Sequence, residues 1–166
     1  MTKRKNIRKL KKTLLAVGEG SSEKAFLSHL KSIYSKGDPK VTVVTAGGKG
    51  PNHVINHAIA CMKCDGYDEC IVLLDTDIPW PPKLVKQATG KGICLIGSEP
   101  CLEGFLLDIL SRRKTNTNNG CKELLHPLLN GESTSKDSYK VLFTKEILEG
   151  ARVNIVNLNS LINAFG

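Results

Sequence analysis

No run of about 18 uncharged apolar residues occurs in this chain, so no transmembrane helix is expected. The N-terminus is basic and lacks the apolar stretch of a signal peptide, which points to the cytoplasm. Only one CxxC is present, Cys61-Met-Lys-Cys64, and no second one completes the usual structural zinc frame. The six cysteines are therefore expected as reduced thiols, several of them buried. No Gly-x4-Gly-Lys-[Ser/Thr] segment exists, so no ordinary P-loop is expected, and a nucleotide-driven step would need a separate ATPase subunit. Tyr34, Tyr67 and Tyr139 lack a distinctive context, which argues against a tyrosine nucleophile of the strand-passing kind. No internal repeat is seen, and residues 1–12 contain no acid.

What is present is one domain's worth of chain: 166 residues, 40% apolar and 24% charged. The net charge is +8, and seven of those charges are Lys3, Arg4, Lys5, Arg8, Lys9, Lys11 and Lys12, which leaves about +1 for the rest. Residues 1–12 are thus either a solvated leader or an arm that lays cations on nucleic-acid phosphates.

Short apolar runs alternate with helical periodicity. Strands are expected at 13–18, 41–45, 70–74 and 92–96. Helices are expected from Ser21 or Ser22, as cap, to about Tyr34, then from Asn52, as cap, to near Cys64. Two more should run over 82–88 and 101–111. Four β-α units in a row predict an α/β fold, a Rossmann-like parallel four-stranded sheet flanked by helices. A polar loop at 114–120 leads to short helical pieces near 121–129, 136–141, 144–149 and 156–164. The expected organisation is a basic arm (1–12), an α/β core (13–113) and a helical C-terminal extension on the same domain (114–166).

Acids stand at the ends of two of these strands. Glu19 and Glu23 follow Leu-Leu-Ala-Val-Gly, and Asp75 and Asp77 end Ile-Val-Leu-Leu-Asp-Thr-Asp. In a parallel sheet the carboxyl ends of the strands open onto one crevice, so these acids should gather there. Period two along an extended segment would place Asp75 and Asp77 on one side. Crowded carboxylates call for a hard cation, Mg²⁺ or Mn²⁺, and such a site suits phosphodiester or phosphoryl chemistry. Each acid also has a plainer explanation, as a solvated turn or as a favourable charge in a helix's first turn. Glu103 falls after the fourth strand and would face the same crevice.

Other candidates are less marked. Gly47-Gly48-Lys49-Gly50 is either a flexible turn or a phosphate cradle with Lys49 as its charge. His53, His57 and Cys61 share one helix face, which fits a zinc site less well than imidazoles shown to solvent. Trp80 either stacks a base or covers a core edge.

The order of these segments resembles the Toprim domain, over roughly residues 13–112. Val17-Gly18-Glu19-Gly20-Ser21-Ser22-Glu23 is similar to its Glu-Gly-x-x-Glu start, and Leu74-Asp75-Thr76-Asp77 to its Asp-x-Asp. Ser98-Glu99-Pro100-Cys101-Leu102-Glu103-Gly104-Phe105-Leu106-Leu107 is similar to a segment of RloB-like proteins, Toprim relatives associated with restriction and phage-defence loci. The resemblance implies a Mg²⁺-dependent nuclease acting on DNA or RNA. Glu19 would then do acid/base work or help bind metal, Asp75 and Asp77 would hold the ion, and Glu103 would add a ligand. Two other classes stay open. One is a non-catalytic metal- or nucleic-acid-binding subunit of a defence complex. The other is a small-molecule phosphatase, whose Asp-x-Asp would however be expected near the chain start.

Overall fold

A computed structural model describes residues 10–166. Lys3, Arg4, Lys5, Arg8 and Lys9, expected as a nucleic-acid arm, lie outside the described residues. The core repeats strand and helix: β1 (Thr13–Gly18), α1 (Ser21–Tyr34), β2 (Lys40–Thr45), α2 (Gly50–Asp65), β3 (Glu69–Asp75), α3 (Pro82–Gly90), β4 (Ile93–Ser98) and α4 (Leu102–Ile109). Then come α5 (Asn118–Leu125), two short 3₁₀ turns (His126–Leu128 and Lys136–Tyr139), α6 (Lys145–Arg152) and α7 (Val156–Phe165). The fold is α/β, with one all-parallel sheet in the order β2-β1-β3-β4.

Period two along the strands explains why helices cover both faces. Leu14, Ala16, Ile71 and Leu73 point to one core, built with α1, α4 and the C-terminal helices. Leu15, Val17, Cys70, Val72 and Leu74 point to the other, built with α2 and α3. With both faces buried, the central strands read as unbroken apolar runs. Residues beyond 114 belong to the first core: Tyr139 and Phe143 pack on Phe26 with ring centroids 5.8 Å away in each case. Phe105 meets Phe26 edge-on at 6.3 Å. Among the described residues, no helix is long and apolar enough to cross a membrane.

Helix starts differ from expectation in two places. Neither Ser21 nor Ser22 caps α1: Gly20 is the N-cap residue, and Glu23 reaches back to accept its N–H at 3.0 Å. Asn52 does not cap α2 either. Lys49 precedes that helix in a left-handed conformation (φ 69°), Pro51 sits in the first turn, and the Asn52 side chain accepts instead from Asn56. By contrast, Thr117 and Thr144 cap α5 and α6 by accepting from Gly120 and Ile147.

Candidate metal and phosphate site

The strand order places the switch point of the sheet between β1 and β3. The chain leaves β1 toward β2 on one side, then crosses back to β3 on the other. Ligands of open α/β sheets bind outside the strand ends at such a point. Glu19 stands there, directly after β1. Its N–H extends the ladder to the Leu73 carbonyl at 3.0 Å, and its Oε2 accepts the Asp75 N–H at 2.7 Å. The two strand-end acids are therefore in direct contact.

Glu23 is brought in by a close approach of helix to strand. A Cβ on Gly18 would lie 2.7 Å from the Lys24 nitrogen and 2.9 Å from the Glu23 Cβ, so only glycine lets the first turn of α1 sit against the end of β1. Glu23 is buried, 8% exposed. Glu103 is buried as well, in the first turn of α4, and shares a 3.0 Å hydrogen bond with the exposed His126. Gly104 permits this packing, since a Cβ there would collide with the Glu99 carbonyl and the Pro100 ring.

Asp75 lies at the centre of this group. Its Oδ1 accepts the Leu102 N–H at 3.1 Å, at the start of α4. Burial first, then the charges of Glu23, Glu19, Asp77 and Glu103, push its carboxyl up to about 8. Glu19 is raised by burial and by Asp77, against the pull of the Asp75 amide. Glu23 is raised by burial, against its hydrogen bonds to backbone N–H groups and with Glu19 and Glu103 adding to the rise.

Asp77 departs from the extended geometry expected of it. β3 ends at Asp75, and the chain bends because the Thr76 and Asp77 N–H groups both turn to the Pro100 carbonyl, at 3.2 and 3.1 Å. Asp77 is exposed, and its Oδ2 accepts from the Asn118 amide at 2.9 Å. It remains close enough to raise both Glu19 and Asp75.

The other four candidate ligands are thus within electrostatic reach of Asp75, and every donor of the five is a carboxylate oxygen. That set fits Mg²⁺ or Mn²⁺. One oxygen each of Glu19, Asp75 and Asp77 makes no hydrogen bond to a described residue. In the present side-chain positions, no three His, Cys, Asp or Glu among the described residues converge to hold an ion.

Lys49 is exposed at the tip of the glycine loop, which is tied to the site by the Gly48 N–H donating to the Glu19 carbonyl at 2.7 Å. Trp80 packs on the second core and donates to the Asp75 carbonyl at 2.9 Å, bracing the strand end. On α2, His57 is 3.6 Å from the Cys61 sulfur, while His53 turns to the Ala46 carbonyl.

Sequence reasoning passed over His126 and Asn118, because each meets its acid from 23 or 41 positions away. Asn118 lies in the polar loop 114–120, whereas His126 is a polar residue set among Leu124, Leu125, Leu128 and Leu129. No family model, curated protein or solved structure matches this chain.

Proposed function

We propose that this chain is a divalent-metal-dependent nuclease of the Toprim type, of RloB-like character, that hydrolyses phosphodiester bonds of DNA or RNA in the cytoplasm. The observation that carries the proposal is the contact of Glu19 with the end of β3 at the sheet's switch point, with Asp75 raised by burial and then by four neighbouring carboxylates. Such a pocket is repulsive when fully ionised and gains stability from a cation. Asp75, Asp77 and Glu19 would hold Mg²⁺ or Mn²⁺, with Glu23 and Glu103 behind them. The bound ion would supply charge stabilisation on the phosphate and the leaving oxygen. Glu19, raised by burial, would accept a proton from the attacking water. Glu23 fixes the start of α1 through the Gly20 N–H. His126 fixes Glu103.

A second reading, a non-catalytic metal- or nucleic-acid-binding subunit of a phage-defence complex partnered by an ATPase, draws support from one fact. Each of the five carboxylates already accepts a hydrogen bond from its own chain. One experiment separates the two: incubation with single- and double-stranded DNA and RNA in Mg²⁺, Mn²⁺ or EDTA, with Asp75→Asn as control. Metal-dependent cleavage lost in the variant supports the nuclease. Binding without cleavage on every substrate supports the subunit.

A further inference from the structure

Helix α1 carries a heptad pattern that the acidic site does not use. Ser21 and Ser28, like Lys24 and Lys31, are seven residues apart and so share one face of the helix, and Ser35 follows as its C-cap. Two adjoining clefts run along that face. One, of about 350 Å³, is lined by Ser21, Lys24, Ala25 and Thr134 together with Ser28 and Lys136. The next, of about 470 Å³, is lined by Lys31, Ser32, Ser35 and Val43 and again by Ser28 and Lys136. No acid lines either cleft. Among the described residues Lys24, Lys31 and Lys136 enter no ion pair, whereas Lys114 and Lys140 do.

The far wall of the groove is held in place. Ser133 shares a 2.9 Å hydrogen bond with Ser22, and the buried Tyr139 donates to the Ser133 carbonyl, so the segment bearing Thr134 and Lys136 is fixed over α1. One end of the groove is Ser21, two residues from both Glu19 and Glu23.

The geometry points to a track for a single polynucleotide strand, whose backbone lies along α1 with its phosphates on Lys24, Lys31 and Lys136 and its oxygens on the serine hydroxyls. The strand leaves the groove at Ser21, beside the carboxylates. A 14-residue helix is about 21 Å long, which sets the length of the track. The inference rests on the nuclease reading only for what happens at the acidic end.

The test is strand binding by the full chain in EDTA, where no metal-dependent cleavage occurs. Anisotropy of a labelled oligo(dT) of about 20 nucleotides is followed from about 50 to 200 mM salt, for wild type, Lys31→Gln/Lys136→Gln and the off-groove control Lys83→Gln/Lys86→Gln. Each lost phosphate contact flattens the log–log salt slope by about 0.7 for a single strand, so the groove variant should flatten it by about 1.4 and the control should leave it unchanged. An unaltered slope in the groove variant overturns the track, as does an equal loss in the control. Displacement of the strand by polyglutamate at equal charge concentration also overturns it, because the groove would then be a general polyanion surface. Failure of metal-dependent cleavage leaves these outcomes untouched, and cleavage with an unaltered slope removes the groove alone.

Discussion

Replacing Asp75 by Asn should stabilise the metal-free protein, and increasingly so as pH rises. The carboxyl is at about 8 in the folded chain against an ordinary 3.8. The folded state therefore binds a proton that the unfolded state has released over most of the range between those values. Stability linked to this group is fully present below the unfolded value and is lost as pH rises toward the folded one. At pH 7 the unscreened cost of the shift is about 4 kcal/mol. Relaxation, water access to a half-buried group and carboxylate coupling reduce this to about 1–2 kcal/mol. An Asn Oδ1 can still accept the Leu102 N–H, so the tie to α4 survives the substitution. In EDTA the variant should match wild type near pH 4.5 and exceed it by about 2–8 °C in Tm at pH 8. Urea melts across the same pH series would give the free energy directly. A variant that is less stable than wild type at pH 8, or a difference that does not grow with pH, would refute the account of a repulsive acid pocket.

Four further outcomes are expected. Mg²⁺ or Mn²⁺ at ten times its Kd should raise wild-type stability at pH 8 by about 1.4 kcal/mol, and Asp75→Asn should lose most of that response in a thermal melt. Gly18→Ala should cost about 1–3 kcal/mol in urea unfolding and weaken the metal response, because its Cβ would press on Glu23 and Lys24. Phe26→Ala should cost about 3–5 kcal/mol by emptying a fully buried site between three aromatic rings, and a loss under 1 kcal/mol would show that the C-terminal helices do not depend on it. His126→Ala should cost about 1 kcal/mol by leaving the buried Glu103 without that partner, and His126→Gln should recover part of it in the same melt.

The sheet was legible because its inner strands are buried on both faces. Leu14–Val17 and Cys70–Leu74 are apolar without interruption, and glycine or acid marks where each run stops. Glu19 and Asp75 were legible for the same reason, since they are the first charges after those runs. Local chemistry misled at the helix starts. Two serines at the start of α1 suggested a hydroxyl cap, yet they lie inside its first turn, and the Glu23 carboxylate satisfies the Gly20 N–H. Asp77 was placed by alternation along a strand that in fact ends two residues earlier, where the Pro100 carbonyl captures the passing N–H groups. The contacts of Asn118 and His126 were beyond reach, because they depend on how a distant segment returns to the sheet.

That return has a consequence in time. Every acid of the pocket is encoded by residue 103, but Asp77 is held by Asn118, Glu103 by His126 and the start of α1 by Ser133. Phe26 finds two of its three ring partners only at Tyr139 and Phe143. A chain made only as far as residue 103 thus carries all five carboxylates of the pocket while lacking the groups that order them. The acids of the pocket are therefore made before the side chains that hold them, and their order waits on the segment from Asn118 to Phe143.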